Sequence, residues 1–123
     1  MVVRRKAGDR ALALGRLKQG QMNKTEAAYA ERLRALQMAG EILWHRFEGV
    51  KLRLADKTFL TVDFAVMRAD GQLEMHDVKG SKAIYTDDAR VKMKVAAEMY
   101  PFVFRVAYPN SKRQGGGWQI EEV

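Results

Sequence analysis

The fold is decided by residues 58–79, which read TFLTVDFAVMRADGQLEMHDVK. Two largely apolar runs flank the turn signal Asp70-Gly71, which predicts a β-hairpin. An acidic residue interrupts each run, Asp63 in the first strand and Asp77 in the second. Because residues on both faces of these strands are mostly apolar, we expect the Asp63 carboxyl group to be half-buried in a sheet covered on both sides.

The length of the hairpin loop determines whether the two acidic side chains meet. A three-residue loop, 69–71, gives a pairing that sets Asp63 opposite Asp77 on one sheet face. A two-residue loop shifts the register by one residue and puts the two carboxylates on opposite faces. Strand alternation also places Lys79 on the same face as Asp77, and Glu74 on the other face.

Two facing carboxylates repel each other unless a cation lies between them. A divalent ion supplies that charge and has positions for water and a phosphate oxygen. Lys79 would orient and help deprotonate an attacking water, and Glu26, on the inward face of a preceding helix, would hold a second metal or a metal-bound water. The chain has no cysteine and its two histidines lack metal-ligand spacing, so Mg²⁺ or Mn²⁺ is favoured over zinc.

Each of these residues also has a purely structural interpretation. Asp77 and Lys79 would form a surface ion pair, and Glu26 would be only a capping residue. Asp63 would bind a backbone amide at a bulge. We favour the joint interpretation as a metal site because the residues converge on one predicted face.

The rest of the chain supplies elements around this hairpin. Helical periodicity and capping residues predict helices at 23–39 and 86–100, the second with Val91, Val95 and Met99 along one side. Strands are predicted at 42–54 with a bend at Gly49, and at 58–67, 72–79, 102–108 and 118–123. This order predicts an α/β (α+β) fold with a mixed central sheet of four to five strands flanked by two helices.

The net charge of +7 is unevenly distributed. Residues 1–22 contain six basic residues and one acidic residue. We interpret 1–22 as a basic flexible arm and 23–123 as the folded domain, and the arm favours a polyanionic partner over a simple solubilising tail. No apolar run could span a bilayer and no secretory signal is evident, so we expect an intracellular protein.

Asp63, followed after a hairpin by Asp77-Val78-Lys79, with Glu26 on a preceding helix, resembles the core of the PD-(D/E)xK nuclease superfamily. Valine stands at position 62 where the motif has proline, and aspartate replaces the commoner glutamate at position 77. More narrowly, the chain resembles a family of small phage and prophage proteins, and the phage endonuclease I and Holliday-junction-resolvase branch. That narrower match spans residues 22–108 and is carried by TEAAYA (25–30), DVKG (77–80) and ARVKMK (89–94).

The resemblance implies a restriction-endonuclease-like core and a magnesium-dependent DNA endonuclease that hydrolyses phosphodiester bonds. It assigns catalytic roles to Glu26, Asp63, Asp77 and Lys79, and metal binding to Glu26, Asp63, Asp77 and Val78. Contacts with DNA are expected from Arg4, Arg5, Lys6, Lys82, Arg90, Lys92 and Lys94.

The resemblance also implies a phage or prophage protein acting in the bacterial cytoplasm. Branched DNA such as a Holliday junction is one candidate substrate, and a homodimer is an open possibility because resolving such a junction calls for two symmetric active sites. The alternatives are a non-catalytic DNA-binding accessory protein and a phage interaction or assembly protein.

Overall fold

The structure, a computed structural model, describes residues 20–123. The predicted arm, with Arg4, Arg5 and Lys6, lies outside the described residues except for positions 20–22. The helices of the described region are α1 (Lys24–Met38) and α2 (Asp87–Met99), with single 3₁₀ turns at Lys82–Ile84 and Lys112–Gln114. The strands are β1 (Ile42–Phe47), β2 (Lys51–Ala55), β3 (Thr58–Thr61), β4 (Phe64–Arg68), β5 (Leu73–Val78), β6 (Val103–Pro109) and β7 (Trp118–Glu122).

Five of these strands form one mixed sheet in the order β1-β4-β5-β6-β7, and β2 pairs with β3 in a separate two-stranded sheet. Within the larger sheet, β5 and β6 are parallel and the other neighbours are antiparallel. The chain returns from β5 to β6 through α2, since parallel strands need a long crossover. The predicted α+β class, with a mixed sheet of this size and two helices, is therefore confirmed.

The two helices cover opposite faces of the sheet and create two apolar clusters. The first cluster joins α1 to the sheet and includes Tyr29, Leu33, Phe64, Val66 and Val78. The second joins α2 to the sheet and to the β2–β3 hairpin and includes Leu52, Val62, Ala65, Met75, Met93 and Ala96. Neither described helix is long and apolar enough to cross a membrane.

Both helices begin at the capping residues that the sequence predicts. Asn23 Oδ1 accepts from the Glu26 amide at 2.8 Å, and Glu26 Oε1 accepts from the Asn23 amide at 2.9 Å, which completes a capping box. Thr86 Oγ1 accepts from the Ala89 amide at 3.3 Å at the start of α2. These bonds satisfy amides that have no partner within the first helical turn.

The β4–β5 hairpin has the predicted three-residue loop. Phe64 pairs with His76 and Met67 with Leu73, which is the register that the longer loop requires. Gly71 has φ +89°, a left-handed conformation that glycine adopts without steric cost. Continued by one residue, this register places Asp63 opposite Asp77, as the sequence analysis expects for a three-residue loop.

The predicted strand 58–67 is wrong as a single element. It divides into β3 and β4, which belong to different sheets, with the break at Val62 and Asp63. The Val62 amide donates to the Val50 carbonyl, so this residue follows the small hairpin and packs on the α2 side. Leu60 and Val62 therefore do not share a face with Phe64 and Val66. Predicted strand 42–54 likewise divides into β1 and β2 around the expected bend at Gly49.

The apolar side of α2 that the sequence predicts is not the side that the structure buries. Val91, Val95 and Met99 are exposed, whereas Met93 and Ala96 are buried against the sheet. This helix carries two apolar stripes, and hydrophobic periodicity alone gives them equal standing. Met93 and Ala96 pack in the cluster that joins α2 to the sheet and to the β2–β3 hairpin.

Candidate active site

Asp63 is held where the chain leaves β3 and enters β4. Its carbonyl accepts from the Glu48 amide at 2.8 Å, and its Oδ2 accepts from the Val78 amide at 2.8 Å. The Asp63 side chain therefore reaches across to the end of β5. The backbone-amide contact of the structural interpretation is present, and it also fixes where the carboxyl group lies.

Asp63 and Asp77 meet at this point. Asp77 is buried, and the two carboxyl groups lie within hydrogen-bonding range of each other. Burial, then the charge and hydrogen bond of Asp77, raise the pKa of Asp63 to about 8, although the hydrogen bond from Val78 acts in the opposite direction. Asp63 therefore holds a proton near neutral pH in the absence of a cation, because two adjacent carboxylates disfavour full ionisation.

Lys79 provides a positive charge next to this pair. Its Nζ lies 3.2 Å from Asp77 Oδ2, and the Lys79 side chain is 26% exposed while that of Asp77 is 10% exposed. The ion pair that the structural interpretation expects is thus present, but it is largely shielded from solvent on the Asp77 side. The Lys79 side chain thus lies beside Asp77 and remains partly exposed to solvent.

Glu26 lies near this pair at the N-terminus of α1. Its charge contributes to the raised pKa of Asp63, although it is the weakest of the causes. The same carboxylate accepts the Asn23 amide in the capping box, so the capping role is real. Glu26 is within electrostatic range of the site but is already held by a backbone donor.

The donor set fits a hard divalent cation in part. Within residues 20–123, no three carboxylate or imidazole side chains form a group that could hold a metal ion. Two adjacent carboxyl groups are present, and Mg²⁺ is typically held by one or two carboxylates with water and substrate phosphate. A cation between Asp63 and Asp77 would remove their repulsion and displace the proton of Asp63.

Two of the predicted DNA-contacting residues line a cavity of about 300 Å³ on the α2 side of β6. Arg90 and Lys94 contribute to its wall together with Tyr85 and Tyr108. The Arg90 guanidinium carbon lies 4.4 Å from the centre of the Tyr85 ring. Burial, and next the charge of Asp77, raise the pKa of Tyr85, so one residue of this lining is within electrostatic range of Asp77.

The other predicted basic residues have different surroundings. Lys82 Nζ lies 3.1 Å from Glu121 Oε2 and 5.8 Å from the centre of the Tyr108 ring, so it flanks the same cavity. Lys92 Nζ donates to the Phe59 carbonyl at 3.3 Å, which directs it towards the small hairpin. The structure therefore groups Lys82 with Arg90 and Lys94 but separates Lys92 from them.

The described chain begins close to the carboxylate pair. The Gly20 amide donates to Glu48 Oε1 at 2.8 Å, and the Glu48 amide donates to the Asp63 carbonyl. Two hydrogen bonds thus connect the first described residue to Asp63.

Sequence reasoning missed a buried polar network on the opposite face of β5. The Tyr29 hydroxyl lies 2.6 Å from His76 Nδ1, and His76 Nε2 lies 2.7 Å from Glu74 Oε1. A carboxylate only accepts, so His76 Nε2 is the donor to Glu74. The alternation of Glu74 and His76 along a central strand was the available signal, because a polar pair on one face of such a strand needs partners.

Comparison of the chain with protein-family models, with curated proteins and with solved structures finds no match. The arguments about function therefore rest on the geometry of these residues.

Proposed function

We propose that this protein is a metal-dependent DNA endonuclease of the PD-(D/E)xK type that hydrolyses phosphodiester bonds. The observation that carries the proposal is the meeting of Asp63, Asp77 and Lys79 at the end of β5, with Glu26 nearby. Burying two carboxylates that repel each other disfavours folding. Such pairs are typical of metal-binding and catalytic sites.

Each residue has a role that its position permits. Asp63, Asp77 and the carbonyl of Val78 would hold Mg²⁺ or Mn²⁺, with Glu26 binding a second ion or a metal-held water. When bound, the ion would neutralise charge on the phosphate and lower the barrier to attack. Lys79 Nζ, 3.2 Å from Asp77, would orient the attacking water and assist loss of its proton.

The distribution of basic residues supports DNA as the substrate. Arg90 and Lys94 line one cavity together with Tyr85, which is within electrostatic range of Asp77. The sequence also has six basic residues in segment 1–22. Phosphates bound on these residues would bring the backbone to the carboxylate pair. As a nuclease with this resemblance, the protein would act in the cytoplasm of a bacterial host, with a branched DNA substrate as one option.

The test is cleavage of branched, duplex and single-stranded DNA side by side, in Mg²⁺, in Mn²⁺ and in EDTA. The proposal predicts metal-dependent cleavage of at least one substrate. A preference for the four-way junction, together with a dimer in solution, would favour a resolvase. The absence of cleavage of all three substrates by folded, full-length protein in either metal would refute the proposal.

The second candidate is a DNA-binding accessory protein without catalytic activity. Two observations favour it: no third metal-ligating side chain completes a group in the described region, and Lys79 is already paired with Asp77. It predicts DNA binding that is equal in EDTA and Mg²⁺, with no strand breaks. The same assay, with binding measured in parallel, separates the two functions.

A further inference from the structure

A second cavity, of about 290 Å³, lies between α1 and the sheet on the face opposite Asp77. Three arginines from three different elements line it: Arg32 of α1, Arg68 of β4 and Arg105 of β6. Its floor is the buried network of Tyr29, His76 and Glu74. Because this face is separate from the carboxylate pair, the cavity does not belong to the candidate active site.

Three arginines and two glutamates line this cavity. Two of the arginines also have acidic partners that are not part of the lining: Arg68 Nη2 lies 3.4 Å from Asp70 Oδ2, and Arg105 Nη2 lies 3.7 Å from Glu122 Oε1. Glu74 is bound by Arg68 Nη1 at 3.3 Å and lies 3.4 Å from Arg105 Nε, so one carboxylate is shared by two guanidinium groups. Glu41 is the second acidic residue of the lining and is exposed. Arg32, the third arginine, has no ion-pair partner among the described residues, so its charge is not neutralised there.

Two buried guanidinium nitrogens of this lining make no hydrogen bond to the described part of the chain, although Arg105 Nε lies 3.4 Å from Glu74 Oε1 as an ion pair. Arg32 Nε and Arg105 Nε are both shielded from solvent, and neither makes a hydrogen bond within residues 20–123. An unsatisfied buried donor costs about 1–3 kcal/mol, and more when it is charged. Both arginines line the same cavity, so a single group with several oxygen acceptors would bind both guanidinium groups.

We propose that this cavity binds a phosphate group, with Arg32 and Arg105 as donors and Arg68 as a supporting charge. Guanidinium groups bind phosphate oxygens through paired N–H donors. A tetrahedral phosphate presents oxygens in several directions, which suits donors that approach from a helix and from two strands, whereas a carboxylate presents two oxygens in one plane. The cavity exceeds the size of one phosphate, so it accommodates a phosphate monoester with part of its attached group.

The phosphate has two possible sources, a free phosphate or small monoester, and the terminal phosphate of a nucleic acid. Neither source requires the protein to cleave DNA. The site is therefore tested in EDTA, where failure of phosphate binding and failure of the proposed nuclease activity are separate results.

The experiment measures binding of inorganic phosphate to the full chain by calorimetry and by thermal unfolding, at constant ionic strength set with chloride. The wild type is expected to show saturable binding and a higher unfolding temperature in phosphate. Arg32→Gln is expected to weaken binding at least about tenfold, the scale of one charged hydrogen bond. The matched control is Arg34→Gln, two residues along the same helix, where an exposed arginine pairs with Glu31; it should bind phosphate as the wild type does.

A pair of short oligonucleotides, with and without a 5′-phosphate, distinguishes the sources. Tighter binding of the 5′-phosphorylated strand than of inorganic phosphate supports a nucleic acid end, and equal affinity supports a free phosphate. The proposal is overturned if the wild type binds no phosphate in either form, or if Arg32→Gln and wild type bind alike. If Arg32→Gln does not fold, Arg68→Gln, whose arginine side chain is 45% exposed in the wild type, replaces it with the same expected loss.

Discussion

Strand β5 carries two buried carboxyl groups on opposite faces, Asp77 and Glu74, and their surroundings differ in one respect. Asp77 faces a second carboxyl group, that of Asp63, and the pKa of Asp63 is raised by burial and by that neighbour. Glu74 is bound by His76, Arg105 and Arg68. Burial alone would raise the pKa of Glu74, but the hydrogen bond and charge of His76 and the two arginines outweigh burial and lower it.

The difference teaches that burial does not by itself mark a functional carboxylate. Both groups are removed from solvent, and burial disfavours the charged form in both cases. What distinguishes them is the partner: Glu74 has its cations within the protein, whereas among residues 20–123 the only ion-pair partner of Asp63 and Asp77 is Lys79. Asp63 and Asp77 form an under-compensated pair, in which two carboxyl groups have fewer neighbouring cations than Glu74 has. A cation from solution would stabilise the protein at this pair.

The largest effect is expected from breaking the under-compensated pair. Asp77→Asn should reduce metal-dependent nicking of plasmid DNA by roughly 100-fold or more, the scale of losing one electrostatic stabiliser of a transition state. The fold should be retained, because the change removes one charge from a repelling pair. Asp56→Asn is the control, since Asp56 lies in the turn between β2 and β3 and its side chain is 83% exposed. Nicking by Asp77→Asn at the wild-type rate would exclude Asp77 as a metal ligand.

The second effect is on the pH dependence of stability without metal. The folded-state pKa of Asp63, about 8, lies above its ordinary value of 3.8, so the folded protein holds a proton that the unfolded chain releases. The stabilisation is complete below the ordinary value and is lost as pH rises towards 8, with a slope of up to about 1.4 kcal/mol per pH unit. Urea unfolding in EDTA from pH 5 to 9 measures it.

Asp63→Asn should remove this slope, because an amide does not titrate and still accepts the Val78 amide. Adding Mg²⁺ or Mn²⁺ to the wild type should stabilise it more at pH 8.5 than at pH 6, since the ion competes with the proton of Asp63. Equal pH profiles for Asp63→Asn and the wild type would show that the pKa of Asp63 is not raised.

The compensated face gives the third effect. Glu74→Gln should lower the free energy of unfolding by about 1–3 kcal/mol, because it leaves His76 and two arginines without their carboxylate. Glu122→Gln is the matched control: Glu122 pairs with the same Arg105 at 3.7 Å but is 66% exposed, so its loss should cost less than about 1 kcal/mol. Equal losses of stability for the two variants would contradict the view that Glu74 is the compensated group.

The smallest effect separates two lysines on one helix. Lys94 lines the same cavity as Arg90 and Tyr85, whereas Lys92 is directed to the small hairpin. Lys94→Gln should reduce the slope of log affinity against log salt by about 0.9, the value for one phosphate contact. Lys92→Gln should leave that slope unchanged. Binding to an uncleavable duplex in Ca²⁺ measures both slopes, and the reverse ranking would place DNA on the hairpin side.

Signals that act over a few residues could be predicted from the sequence. The capping residues Asn23 and Thr86 bond within their own first turns, and the register of the β4–β5 hairpin follows from a loop of three residues. The closeness of Asp63 and Asp77 follows from that register, which is why their meeting could be anticipated.

Features that depend on contacts between distant parts of the chain could not be predicted from the sequence. The break at Val62 depends on a bond to Val50, and an apolar run gives no sign that it changes sheets. The network on the far side of β5 joins Tyr29 to His76, which is 47 residues away. A single sequence provides a polar residue that needs a partner, but it does not identify that partner.

The three-residue loop before β5 also bears on how this chain can change in evolution. Ala69 and Gly71 are exposed, and exposed loop tips usually tolerate gain or loss of a residue. Here, inserting or deleting one loop residue without a compensating bulge would shift the register of β5 against β4 by one residue. The shift would turn Asp77 towards α1 and Glu74 away from its arginines. We therefore expect that homologues which keep the polar residues on both faces of β5 will differ in the amino acids of this loop but will keep its length.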